Sequence, residues 1–515
     1  MADVRYDCIV IGAGHNGLVC ATLLARGGRS VLVLEAGEQV GGAAVTCEFS
    51  AGFRVSAAAH LLHQWPDELA RELALETHGL TLAARQMSTT AIAPGTAPIT
   101  LGTDGSAQDQ AAFAPFEARM QRFGAALAPA FAQLPPRLGT EEWADRIAML
   151  RLGWRLRRLG RKDMREFLRI VGMNVHDLLE EQFESDLLKG ALALDAVLGA
   201  NFGPRSPGTV LTYLYRWAAQ SQTSHGLAQP TGGMGAVAQA LQKSAQAAGV
   251  TIRLKARVAR IVVENDRAAG VELGSGERLA ARSVVSNADP KTTFLKLLGT
   301  RHLDTGFVRR VQHLRARGLA AKVHLALSDL PKFMNVTRAQ LAGRLMLAPS
   351  LEYVEHAYNP TKYGEFARAP ALEITLPTLN DSSLAPAGKH VLSAVVQYAP
   401  YELRAGWQGG RQEFLECIMA TLEGVAPGIR ALTIGAELLT PADLETQFNL
   451  HGGHWHHADL AFDQFLMVRP VPGASQYRTP LDGLYLCGAG CHPGGGVMGV
   501  AGRNAARQVL DTEAA

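Results

Sequence analysis

Apolar and polar positions change period several times along the chain, and each change marks an element. "YDCIVI" (6–11) is a short apolar run of strand type, and "GAGHNG" interrupts it. "LVCATLLARGG" then reads as an apolar helix closed by Gly27 and Gly28, and "SVLVLE" as a second strand ending on Glu35. Together they predict a βαβ unit. The same order of apolar strand, glycine-rich turn and helix returns at 483–510, "GLYLCGAGCHPGGGVMGVAGRNAARQVL", which predicts that the carboxyl-terminal segment rejoins the first domain. Between the two, a glycine-opened helix, "QPTGGMGAVAQALQKSAQAAG", precedes a stretch of short alternating segments. Asn265-Asp266 and Gly274-Ser275-Gly276 divide that stretch into strands and hairpins. Helical patterns dominate 81–229.

The glycine spacing gives the βαβ unit a chemistry. Gly12, Gly14 and Gly17 occupy the GxGxxG positions: the first permits a tight turn, the second lets backbone approach a pyrophosphate, and the third lets helix pack close to strand. The helix amino end then offers free N–H groups and a favourable dipole to phosphate. Glu35 stands where a carboxylate accepts hydrogen bonds from both ribose hydroxyls, so the register predicts a dinucleotide without a 2′-phosphate. A second demand for close backbone approach follows at Gly41-Gly42.

With that double glycine in place, "VIGAGHNGLVCATLLARGGRSVLVLEAGEQVGGAA" resembles the FAD-binding signature of the flavoprotein family of phytoene desaturases, retinol saturase and amine oxidases. Gly488 to Val500 is similar to that family's flavin-closing segment at its glycines, at His492 and at Pro493. A subgroup with a "GG…H…" segment ahead of "RP" and "GLYLCG" matches nearly the whole chain. The resemblance implies FAD as cofactor, held by Gly12, Gly14, His15, Asn16, Gly17, Glu35, Ala36, Gly41, Gly42, Ala43, Gly488, Ala489, Gly496, Val497 and Met498. It also implies that Val258 contacts the adenine through its backbone. Gly494 to Gly496 are expected to let backbone pass a flat ring, and a helix starting near Met498 to favour the reduced flavin.

The expected architecture is an α/β Rossmann-type FAD domain (1–80, 230–298 and 462–515) with a discontinuous, helix-rich α+β substrate domain (81–229 and 299–461), of amine oxidase/phytoene desaturase type. The 515 residues suit two domains, and 53 glycines suit many tight turns. The expected function is FAD-dependent removal of hydride from a C–H bond of an apolar or amine-bearing molecule, by a desaturase or oxidase. A saturase running the hydride the other way and a non-catalytic flavin-binding protein are the alternatives. Neither a redox cysteine pair nor a second GxGxxG for NADPH is evident, which favours a desaturase or oxidase over a reductase, with electrons leaving for oxygen, a quinone or another carrier.

Candidate polar groups are His60 and His63 in "SAAAHLLHQW", the histidines of "HGGHWHHADL" (451–460), and His492. Alternate positions of an extended segment share a face, so His454 and His456 could together hold a metal; as the histidines expected first to face substrate above the flavin, they are with His60 the catalytic candidates. Metal binding at this cluster lacks a completing carboxylate or cysteine and is not expected. A net charge of +3 gives nucleic acid no footing. The opening residues carry no signal-peptide pattern, which predicts a cytoplasmic protein, and self-association stays open. From Arg151 to Ile170, "RLGWRLRRLGRKDMREFLRI" holds eight basic residues interleaved with apolar ones. This is either a solvated face whose arginines pair with the acidic "HDLLEEQFESD" behind it, or a peripheral contact with the inner face of an anionic membrane.

Overall fold

The computed structural model describes residues 6–137, 139 and 141–514. Two seven-stranded sheets organise them. In the first, Tyr6–Ile11 lies between Val31–Leu34 and Arg278–Ser286, all parallel, with Thr251–Arg253 beyond Val31–Leu34. Arg278–Ser286 is shared along its length: its first residues pair antiparallel with Arg267–Leu273, and its last pair parallel with Leu484–Leu486. Strands covered on both faces need continuous apolar runs, and Cys8, Ile9, Val10, Leu32, Val33, Val284 and Val285 are fully buried.

Register decides where the site lies. Ile11 is opposite Leu34 and Ser286, and Ser286 is opposite Leu486. Four parallel strands therefore end together, delivering Gly12, Glu35, Asn287 and Cys487 to one edge, the crevice at which open α/β sheets bind ligands. The helices His15–Arg26, Gly235–Ala247 and Val500–Ala514 cover this sheet. The last begins at Val500, two residues beyond the expected Met498. Core packing runs on past 298, because Phe307, Val311 and Leu314 join Phe294 and Leu298 in the same cluster.

The second sheet runs Thr433–Leu439, Ala320–Leu327, His390–Gln397, Ala371–Thr375, Arg344–Leu347, Thr89–Ile92, Ile99–Thr100. Its faces differ. Ala321, Val323, Leu325, Leu327, Leu372, Ile374, Leu345 and Leu347 share one face and pack with Phe414 and Ile418 of the helix Trp407–Glu423. The register sends Lys322, His324, Ser393, Glu373 and Arg344 to the other. Over that side lie Asp186–Val197 and Thr209–Gln220, the helices whose Leu192, Tyr213 and Leu214 pack with Phe116 and Phe123 of Ala107–Ala132.

Candidate active site

One cavity opens on the shared strand edge and a second adjoins it, and His15, Ala43 and Trp455 line both. The first is a nucleotide cradle. Glu35 is fixed there from two sides: Ala13 N–H donates to Oε2 at 2.7 Å and Gly37 N–H to Oε1 at 2.8 Å. Gly41 N–H donates to Ala13 O at 2.9 Å, so the double glycine is drawn against the GxGxxG turn. A Cβ on Gly42 would meet Gly14 Cα at 3.5 Å, and one on Gly14 would meet Asn287 Nδ2 at 2.8 Å. The helix His15–Arg26 starts at Gly14 with no side-chain cap and no acid in its first turn, leaving its amino end for an anion.

These residues fit FAD. Gly12, Gly14, His15, Asn16, Glu35, Ala36, Gly41, Gly42, Ala43, Val258 and Ala489 all line the cradle. Among the described residues, buried His15 Nε2, Asn16 Oδ1, Trp455 Nε1 and His457 Nδ1 have no partner, the pattern a polar ligand satisfies. Gly496 and Val497 line the second cavity. Gly17, Gly488 and Met498 stand behind the walls. A Cβ on Gly17 would come within 2.2 Å of Gly12 O, and one on Gly488 within 2.6 Å of Asn287 O, so these glycines serve backbone packing. Met498 is buried against Tyr215. The tight approaches at Gly494, Gly495 and Gly496 are to Leu460, His456 and Gln64, which are protein side chains.

The second cavity is apolar on most sides, through Ala58, Ala196, Leu198, Leu227, Val395 and Leu460. One wall is charged. Lys322 Nζ contacts His60 Nδ1 at 2.6 Å, and His60 Nε2 contacts Glu373 Oε1 at 2.6 Å. The other Glu373 oxygen accepts from Arg344 at 3.1 Å; Arg344 also reaches Asp195 at 2.7 Å, and Asp195 meets Arg216 at 2.9 Å. Burial and the ammonium of Lys322 push His60 down to about 4. Burial brings Lys322 itself down to about 7 against the pull of Glu373. Burial alone would raise the Glu373 carboxyl, but His60 and Arg344 hold it well below the usual carboxylate range.

The three catalytic candidates separate. Both ring nitrogens of His60 are engaged, so it holds the charged wall and has no free nitrogen for a substrate proton. His454 lines neither cavity and belongs to the loop's internal bracing. Its Nε2 lies 2.8 Å from Asp459 Oδ1, and its Nδ1 accepts from His456 N–H at 3.2 Å. His456 lines the apolar cavity, has an unpartnered Nδ1, and is neutral because burial holds it well below the ordinary histidine value. His63 lines the same cavity and is pushed down to about 3, chiefly by burial. His492 bonds Ala130 O at 2.9 Å and is structural. No group of three or more ligand side chains suited to a metal occurs among the described residues.

Sequence reasoning missed Lys322, Arg344, Glu373, Asp195 and Arg216, and it met Arg469 only as part of "RP", without its role. A signal existed for three of them: a charged residue interrupts each of the otherwise apolar strands "AAKVHLAL", "RLML" and "ALEIT". Arg469 is fully buried and donates to the carbonyls of His456, Ala458, Asp459 and Gln464 on one side and of Ala489 and Cys491 on the other. It ties the histidine loop to the turn after Leu484–Leu486.

Residues 17–510 match the model for flavin containing amine oxidoreductases. The chain belongs to that family. It is 35% identical to pyridine nucleotide-disulfide oxidoreductase domain-containing protein 2 of Mus musculus, covering 98% of this chain and 93% of that protein. It is 27% identical to the lycopene-forming phytoene desaturase of Pseudescherichia vulneris, over 96% of each. The structure of putrescine oxidase bound to putrescine shares the fold, with TM-score 0.62 at 16% identity, covering 99% of this chain and 100% of that one. The protein is therefore an FAD-dependent oxidoreductase.

Proposed function

We propose that the protein oxidises a C–H bond of a small apolar or amine-bearing molecule, as a desaturase or oxidase. The observation that supports this reading is the sharing of His15, Ala43 and Trp455 by the cradle and an adjoining apolar cavity, an arrangement that suits a substrate chamber beside the cofactor. Bound FAD supplies hydride acceptance. The chain's own residues do the rest. Ala58, Ala196, Leu198 and Leu460 desolvate an apolar substrate and exclude water, while Arg469 fixes the wall that carries His456. Neutral His456 accepts the proton when the reaction releases one. The chain from Lys322 to Arg216 sets the field at the polar wall and orients any polar end of the substrate.

Anaerobic mixing of the yellow protein with hydrocarbon, polyene and amine donors tests the proposal: a donor of one class bleaches the flavin, and oxygen or a quinone restores the colour. Failure of all three classes to bleach it, with flavin bound, overturns it. The phytoene desaturase relative supports an apolar donor, and the cavity's aliphatic lining agrees with that choice.

A further inference from the structure

The helix Trp143–Arg158 turns its apolar side outward. Trp143, Ile147, Leu150 and Trp154 are spaced i, i+4, i+7, i+11 and fall within about 60° of one another on a helix of ~100° per residue. They are 73%, 41%, 72% and 63% exposed. The opposite side is the docked one, with Asp145 buried and bonded to Arg137 and Gln476, and Leu156 against the helical core. Basic residues border the stripe on both flanks, Arg157 on one and Arg151 and Arg158 on the other. Arg161, Lys162 and Arg165 continue the charge on Gly160–Ile170, where Leu168 is also exposed. Among the described residues none of these six cations makes an ion pair; Arg169 alone of the basic run reaches the acidic segment behind it, at Glu181. Self-neutralisation therefore does not account for the charge.

We infer that this face is a docking surface for an anionic lipid membrane, on which Trp143–Arg158 lies flat. An aliphatic and indole stripe between rows of arginine matches an acyl boundary below a layer of phosphates. A second copy of the chain would bring like charges together, and a nucleic acid gives Ile147 and Leu150 nothing to bury against. No described helix is long and apolar enough to cross a membrane, so attachment is at the surface.

The test uses the full-length flavin-loaded protein in co-sedimentation with vesicles of phosphatidylcholine alone or with about 30% phosphatidylglycerol. Binding to the anionic vesicles is expected, with a blue shift of tryptophan emission. Arg151→Glu and Arg158→Glu are each expected to weaken it about fivefold or more, and Trp143→Ser/Leu150→Ser/Trp154→Ser to abolish both binding and shift. Unchanged flavin content in each variant certifies the fold. Equal binding to both vesicles, binding that survives the triple variant, stronger retention on a single-stranded oligonucleotide, or a dimer that the triple variant dissolves would each overturn the inference.

Discussion

Lys322 Nζ stands 2.6 Å from His60 Nδ1, although 262 residues separate the two in the chain. The pair makes the cavity wall responsive to pH. Lys322, buried behind the wall at His60, is pushed down to about 7, so the field at the wall gains a positive charge below that value and loses it above. A permanently cationic quaternary ammonium inhibitor is expected to bind on the order of tenfold more tightly as pH rises through about 7, while a neutral hydrocarbon of the same shape shows no change. Lys322→Met flattens the dependence. The stability sign follows from linkage: the folded value lies below the unfolded 10.5, so the unfolded chain holds more protons between the two and stability rises with pH across that window. A titration of inhibitor affinity in wild type and variant checks the wall; an unchanged profile in Lys322→Met refutes it.

Arg344 bridges Asp195 and Glu373 inside the protein. Removing one partner of a buried ion pair leaves the others uncompensated, at a cost of about 3–5 kcal/mol. Arg344→Met is expected to lose about that much in denaturant unfolding, and the double variant Arg344→Met/Glu373→Leu to recover part of it. Additive losses in the double variant contradict a coupled chain.

How far these features could be read beforehand follows from sequence distance. Gly12, Gly14, Glu35 and Gly41 act within one βαβ unit, so spacing alone reports their geometry. The charged wall is assembled from strands at 320–327, 344–347 and 371–375 and helices at 186–197 and 209–220, and only the register of a sheet brings them together. Within each strand the charge is visible; its partner is not. The histidine loop misled for a related reason. Alternation would place His454 and His456 on one face of an extended strand, but the segment is a series of turns, with Gly452 and Gly453 at φ 64° and His457 at φ 58°, and His454 lies inward against Asp459.

That difference between the two histidines is measurable. His454→Leu removes the Asp459 bond and is expected to lower thermal stability while leaving the kcat of the protein that stays folded within about twofold. His456→Gln is expected to keep stability and lower the anaerobic rate of flavin reduction by about 10²-fold or more, the contribution typical of a positioned base. Equal rates in wild type and His456→Gln remove His456 from the chemistry.

Cofactor retention distinguishes two glycines of the same turn. A Cβ on Gly17 would lie 2.2 Å from the backbone oxygen of Gly12, which cannot move without opening the turn. On Gly14 the obstacle is the end of the Asn287 side chain at 2.8 Å, which can swing aside. Gly17→Ala is expected to purify colourless or insoluble, and Gly14→Ala to keep a reduced flavin-to-protein absorbance ratio. The reverse order contradicts the packing role assigned to Gly17.

Acid stability reports the buried imidazoles together. Burial holds His15, His60, His457 and His492 near 4 and His63 near 3, against an unfolded value of 6.5. Between those values the unfolded chain binds protons that the folded one refuses, so folding stability decreases as pH falls below 6.5 and keeps decreasing toward 4. Several groups acting in parallel steepen the slope, and the thermal midpoint is expected to drop more sharply over this window than between pH 7 and 8. FAD is expected to offset part of the drop, because a ligand bound only to the folded state stabilises it in proportion to its own affinity. Midpoints measured with and without added FAD from pH 7 down to 4 check both statements. A flat profile in the flavin-free protein means that the cavity histidines are hydrated rather than buried when the cofactor is absent.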